Sequence, residues 1–232
     1  VNYLYPEGKW PADLHCIGKD ILRFHALYWP AMLLSAKIPL PKALFVHGHI
    51  TADGQKMSKS LGNVIDPFSL AQKYGADAVR YYLLREIPPT DDGDFSMAKF
   101  AERYEADLAN GLGNFAARVT ALASRGGITA AAEPEKTVTE AIIKAKETVR
   151  AKMGEYRLHE AVHAVWDLIT FANQYLNDAK PWDKAVAETD KARAIGNGLV
   201  LLDAVADLLM PFLPNAAEKI KAGNAGMLFP RI

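Results

Sequence analysis

Two lysines three residues apart, Lys56 and Lys59, stand with Ser58 and Ser60 in the stretch DGQKMSKSLGNVIDP, residues 53–67. Ammonium groups at that spacing can meet a polyphosphate, and cations fixed in advance where charge develops between phosphates stabilise that charge. Gly54 and Gly62 flank the segment and give it freedom to turn. Lys56, Met57, Ser58, Lys59 and Ser60 are therefore candidate nucleotide contacts; the plainer alternative is a solvated basic turn. Gly18 and Asp20 fall at a strand-to-helix turn, where a glycine admits close backbone approach and a carboxylate can accept from ribose hydroxyls. A helix N-cap is the simple alternative for Asp20. Ile21, His25 and Trp29 recur at i, i+4 and i+8, one stripe of a helix. An aliphatic group, an imidazole and an indole suit an unbranched thioether, since sulfur packs well at aromatic edges, although such a stripe also serves as ordinary core.

The elements that must position these residues are legible from periodicity. LHCIG is short and apolar, DILRFHALYWPAMLLSA is helical in period, and ALFVHGHI, ending at Ile50, is rich in β-formers. The order predicts a βαβ unit, half of a doubly wound sheet, whose helix starts at Asp20 and is bent or locally disrupted at Pro30. The lysine segment then lies past the end of a strand, where such sheets bind ligands. Asp66-Pro67 opens a helix that Gly75 closes, a second helix covers roughly 76–86, and EIPPTDDGDFS reads as a boundary. Alanine-rich helices are predicted over 97–124, 137–155, 158–179, 190–210 and 215–222, with loops short enough for an antiparallel bundle.

The 232 residues are half hydrophobic, enough for a core, and 27 basic residues balance 27 acidic ones. That balance excludes a bulk field drawing the chain to nucleic acid or a membrane, so any such binding is local. One cysteine, Cys16, cannot form an internal disulfide or a cysteine zinc knuckle, which fits a cytoplasmic location and no metal site in this chain. No apolar run reaches membrane-span length. The opening VNYLYPEGKW, without an initiating methionine, is expected to be interior to a longer chain.

KMSKS within HGHITADGQKMSKSLGNVIDP, followed by YGADAVRYYLL, resembles the signature of the class I aminoacyl-tRNA synthetases. IGKDILRFHALYWPAML and NDAKPW are similar to the methionyl-tRNA synthetase family of bacterial type, and the resemblance covers nearly the whole chain. It implies a half-Rossmann nucleotide-binding unit over 1–66, a helical stem-contact junction over 67–95 and an all-helical anticodon-binding bundle over 96–232. It further implies ATP with magnesium, L-methionine and tRNA(Met) as substrates. Lys56 and Lys59 would neutralise phosphates, with Lys59 the more important. Gly18, Asp20 and the backbone of Ile50 would take the adenosine, and Ile21, His25 and Trp29 the methionine. Asn114, Arg118 and Trp182 match positions that read the anticodon, by stacking on the indole and bonding to base edges. On residue type alone that trio reads as bundle structure; Arg103, Arg125, Lys180 and Lys184 are candidate phosphate contacts, with a solvated face as the plainer alternative.

The family's H-x-G-H element is not found, since His47-Gly48-His49 lacks its spacing. The half that carries it is expected to be supplied in cis or in trans, and this chain alone is expected to be inactive. The rival expectations are a non-catalytic tRNA-binding module and a class I synthetase for another apolar amino acid.

Overall fold

The computed structural model describes residues 10–57 and 64–232. Strand β1, His15–Gly18, pairs in parallel with β2, Leu44–His47, in register from His15 with Leu44 to Gly18 with His47. Their connection is a composite winding: a 3₁₀ turn at Lys19–Ile21, a π-helical turn at Phe24–Tyr28, and helix α1 at Trp29–Ser35. Asp20 therefore does not cap a helix. It lies inside the 3₁₀ turn, with Gly18 in the capping place and no side chain capping it. Pro30 sits in the first turn of α1, where a missing N–H is tolerated. The wider turn ahead of it absorbs the hydrogen bond that a proline inside an α-helix would break.

The strand expected to run through ALFVHGHI is two strands. β2 stops at His47, and β3, Ile50–Ala52, belongs to a second sheet of order β4-β3-β5. There β4, Gln55–Lys56, is antiparallel and β5, Gly93–Phe95, parallel to β3. The break has a steric origin at Gly48. A Cβ at that residue would fall 2.0 Å from the carbonyl oxygen of Asp91, so backbone crosses backbone there and only glycine fits. Asp92 then accepts from the His49 N–H at 2.8 Å. The acidic, proline-containing stretch that reads as a boundary thus folds back and contributes a strand to the sheet it follows.

Helix α2, Pro67–Tyr74, opens on Asp66, whose carboxylate accepts from the N–H groups of Phe68 and Ser69, and closes at Gly75. Helix α3, Ala76–Glu86, follows directly. Beyond Ser96 the chain is helical in the expected places: α4 (Met97–Arg103), α5 (Asn114–Gly126), α6 (Lys136–Gly154), α7 (Leu158–Ala179), α8 (Glu188–Leu209) and α9 (Pro214–Lys221). Between α4 and α5 the winding continues unbroken as a π-helical stretch, Tyr104–Gly113. Gly113 lies there against Phe229, whose carbonyl oxygen would be 3.9 Å from an added Cβ.

Most of the buried side chains among the described residues form one cluster running from Ala78 in α3 to Leu228, which includes the fully buried Tyr81, Phe100, Phe115, Leu176, Leu209 and Phe212. Helix α3 is tied into it by polar groups as well. Asp77, only 5% exposed, accepts from the Ala216 N–H (2.7 Å) and from Asn215 Nδ2 (2.9 Å), which places a carboxylate on the N-terminus of α9. Arg80 Nε donates to the carbonyl of Phe212 at 2.7 Å. The βαβ unit buries Ile17 and Leu33 but leaves Phe24, Leu27, Met32 and Leu34 between 58% and 68% exposed. Among the described residues no helix is long and apolar enough to cross a membrane.

Candidate functional site

The turn after β1 brings Gly18 against Asp20: a Cβ on Gly18 would meet the Asp20 carboxylate oxygen at 2.7 Å. Asp20 faces His49 Nε2 at 3.6 Å and its carboxylate is open to solvent. The neighbouring Lys19 is engaged elsewhere, with Nζ on both oxygens of Asp92 at 2.5 and 2.6 Å. That contact, and second the His49 N–H, hold the Asp92 carboxyl below the usual range. Ile50 begins β3 in register with Gly93. On its other side the ladder ends one residue short, at Thr51 with Lys56, so the Ile50 backbone lies at the margin of the pairing. Gly18 and Asp20 thus lie together after β1, and Asp20 faces His49, the residue before Ile50.

The β3–β4 hairpin turns through Asp53 (φ 49°) and Gly54 (φ 74°), both left-handed, the conformation that two-residue hairpin loops favour. Asp94 of β5 grips this turn. One carboxylate oxygen accepts from Thr51 Oγ1 at 2.6 Å and from the Gly54 N–H at 2.7 Å, and these bonds pull its carboxyl below the ordinary value. The hairpin so fixed carries Lys56 at the end of β4 and then Met57. Ser58, Lys59 and Ser60 lie outside the described residues.

Beside β1 a hollow of about 260 Å³ is lined by Leu14, His15, Cys16, Ile17, His25 and Trp29. The His15 ring stacks on Trp29 (centroids 4.9 Å apart, planes 10° apart), Trp10 packs on Trp29 at 5.7 Å, and His25 meets Trp29 edge-on at 5.9 Å. Burial first, and the neighbouring His25 second, hold the His15 imidazole below its ordinary pKa. His25 Nδ1 lies 3.0 Å from the carbonyl oxygen of Ile21, which makes Nδ1 the protonated nitrogen and a donor. Ile21 is 38% exposed and does not line the hollow, contrary to the one-stripe expectation. The cause is the winding: 3₁₀ and π turns do not keep the 3.6 period, so Ile21 leaves the face shared by His25 and Trp29. It contributes its carbonyl instead. His15 and Trp10 were the residues that sequence reasoning missed here, although alternation along LHCIG places His15 and Ile17 on one side of β1.

A second constellation forms where the end of α7 meets α5. Arg118 of α5 places its guanidinium carbon 4.7 Å from the centre of the Trp182 indole and donates from Nη2 to Asn177 Oδ1 at 2.9 Å. Asn114 is exposed one turn before Arg118. Helix α7 ends at Lys180 in left-handed conformation (φ 44°), Pro181 is buried, and Trp182 emerges 48% exposed. A half-exposed indole beside a guanidinium and an amide can stack a base and bond its edge. Asn177 was not anticipated from sequence, because an asparagine near a helix end reads first as a cap or a surface residue. Arg103 is spent internally, on Glu86 at 2.6 Å and Asp107 at 3.5 Å.

Compared with protein-family models, residues 5–120 match the tRNA synthetases class I (M), and residues 125–226 the anticodon binding domain of methionyl tRNA ligase. A methionine-tRNA ligase of Brucella suis biovar 1 (strain 1330) is 44% identical over 95% of this chain and 46% of its own length. One of Thermotoga maritima (strain ATCC 43589) is 41% identical over 91% of this chain and 35% of its own length. The chain thus spans less than half the length of these curated relatives. The solved structure of Mycobacterium tuberculosis methionyl-tRNA synthetase in complex with methionyl-adenylate superposes with a TM-score of 0.83 at 41% identity, covering 92% of this chain and 44% of that one. The apo form of the same protein gives 0.82 at 34% identity, covering 97% and 50%.

Proposed function

The chain belongs to the class I tRNA synthetases of the methionyl type, with the synthetase fold followed by a helical anticodon-binding domain, and on that premise we propose that it works as part of a cytoplasmic methionine-tRNA ligase. In that reaction the carboxylate of L-methionine attacks the α-phosphorus of magnesium-bound ATP. The bond to pyrophosphate breaks, and the 3'-terminal ribose of tRNA(Met) then attacks the carbonyl of the adenylate and releases AMP. No enzyme nucleophile is needed, so the protein's share is positioning and electrostatic stabilisation.

In this reading Lys56 and Lys59 neutralise the phosphates, with Met57, Ser58 and Ser60 completing the segment. Gly18 lets the nucleotide approach the β1 turn, Asp20 accepts from the ribose, and the marginal backbone of Ile50 meets the adenine. His15, His25 and Trp29 wall the hollow for the methionine side chain, whose sulfur suits their ring edges. Residues 1–66 form the nucleotide unit, 67–95 the junction and 96–232 the anticodon-binding domain. A further α/β half, in cis or in trans, completes the site and covers exposed apolar side chains such as Phe24, Leu27, Met32 and Leu34.

The observation that carries the reading is the meeting of Arg118 with Trp182, from segments more than sixty residues apart, with Asn114 exposed one turn before Arg118. It supports recognition of an unpaired base by stacking and edge contacts. The test is binding of the chain to an RNA hairpin with a CAU loop and to the same hairpin with one loop base changed, at one stated salt concentration. Discrimination of about 1–3 kcal/mol is expected; equal affinity in a folded sample would overturn the reading. A second reading, a non-catalytic tRNA-binding module, is favoured by the confinement of the continuous core to Ala78–Leu228. Methionine-dependent exchange of pyrophosphate into ATP, with the partner half supplied, separates the two.

A further inference from the structure

We propose that Asn177 is a positioning residue for the RNA-reading site: it holds the Arg118 guanidinium in the plane from which that group addresses a base. The inference rests on the anticodon reading above. An arginine on an exposed helix face has many rotamers to lose on binding, and fixing one beforehand raises affinity by removing that cost. Two contacts fix Arg118. The guanidinium carbon lies over the Trp182 ring, 4.7 Å from its centroid, which sets where the group sits. Asn177 Oδ1 accepts from Nη2 at 2.9 Å and sets its rotation within the plane. Stacking alone leaves that rotation free, so each contact supplies what the other lacks.

Asn177 and Trp182 come from one short segment whose geometry is itself over-determined. The Lys180 N–H closes α7 on the carbonyl of Leu176 at 3.0 Å, Pro181 is buried, and the Asp183 N–H returns to the carbonyl of Lys180 at 2.8 Å. The acceptor and the ring therefore move together, and Arg118 is clamped by one rigid corner. Asn177 uses one of the five guanidinium N–H groups, so the fork keeps donors for a base that presents adjacent acceptors on its edge. Asn177 is exposed and sits in the last turn of a helix, a place where asparagine adds little to stability.

The experiment uses the full chain with Asn177→Ala, Asn177→Asp and Arg118→Ala. The first readout needs no RNA: the ring-current shift that Trp182 imposes on the Arg118 side-chain resonances. It is expected to shrink in Asn177→Ala and to return in Asn177→Asp, which keeps the acceptor oxygen. The second is binding to the CAU hairpin and its single-base variant at fixed salt. Asn177→Ala is expected to lose about tenfold in affinity for the CAU hairpin and most of its discrimination, while unfolding at the wild-type urea midpoint. Asn177→Asp is expected to stay within about threefold of wild type. An unchanged ring-current shift in Asn177→Ala, or wild-type discrimination in that variant, would overturn the assignment of Asn177. A wild-type chain that binds both hairpins equally would instead overturn the anticodon reading, and with it the RNA role of the clamp.

Discussion

Replacing Asp77 by alanine tests how the junction helix is fastened to the bundle. The carboxylate is 5% exposed and receives two hydrogen bonds from the start of α9, the Ala216 N–H at 2.7 Å and Asn215 Nδ2 at 2.9 Å. It also lies in the first turn of its own helix, so two helix N-termini converge on one negative charge. Loss of an N-cap alone costs about 0.5–2 kcal/mol. Here the loss is larger, because Ala216 is 4% exposed and its orphaned N–H cannot turn to water, which adds a desolvation penalty of about 1–3 kcal/mol. These two figures overlap in what they count, so the expected destabilisation is about 3 kcal/mol. Asp77→Asn keeps an acceptor for Ala216 and loses only the charge, with an expected cost of about 1 kcal/mol. Urea unfolding, followed by far-ultraviolet circular dichroism and by tryptophan fluorescence, checks both the size and the two-state condition. With a slope of about 2 kcal/mol/M, the alanine midpoint should fall by roughly 1.5 M. A shift under about 0.3 M, with the slope unchanged, would show that the carboxylate is not what holds α9 to α3.

Trp182 leaves about half its ring in solvent, roughly 120 Å² of stacking area and so a ceiling near 3 kcal/mol. Trp182→Ala should accordingly weaken binding of the CAU hairpin by about 1–3 kcal/mol in fluorescence anisotropy, and Trp182→Phe should recover most of it. Gly48→Ala drives a methyl into the Asp91 backbone, so hydrogen exchange over 50–56 and 93–95 should quicken, with a cost of about 1–3 kcal/mol or more. Asp92 and Asp94 both have depressed carboxyl pKa values in the fold, set first by Lys19 and by Thr51 respectively. Their contribution is therefore complete above the unfolded carboxyl value of about 4 and is lost as pH falls through the lower folded values. Protection of the Gly54 and His49 amides, corrected for intrinsic rates, should decline over that acid range, and Asp94→Ala should abolish the decline at Gly54.

The helices were readable from sequence because their signals are local. Asp66-Pro67 and Gly75 bound α2 as written, and the apolar period of the bundle needs no distant partner to be seen. What escaped reading depended on contacts between segments far apart. Gly48 looked like an ordinary residue of a strand, since the carbonyl that forbids a side chain there comes from Asp91, forty-three positions on. The strand at Gly93–Phe95 was hidden by the acids before and within it, Asp92 held by Lys19 and His49 and Asp94 by Thr51 and Gly54. At the candidate sites the residue types were legible and the windings were not. His25 and Trp29 share a hollow as their spacing suggests, yet Ile21 leaves it because the turns between depart from the α period. Arg118 and Trp182 could be named from the chain, but only the fold brings Asn177 to the guanidinium.

The π-helical stretch Tyr104–Gly113 makes chain length itself a functional quantity. Each residue of an α-helix advances about 1.5 Å and turns about 100°. A one-residue deletion in this stretch would let it rewind as ordinary α-helix, a gain for the local backbone. Because a π-helical turn holds its extra residue as a local widening, α5 would keep its phase against α7 after that loss, whereas a residue lost from the regular winding between Asn114 and Arg118 would carry Arg118 round by about 100°, taking it off the indole and away from Asn177. Exposed positions such as Glu102 and Ala106 are open to substitution, whereas an in-frame codon loss or gain between Asn114 and Arg118 disconnects Arg118 from the Asn177–Trp182 corner of an otherwise folded bundle.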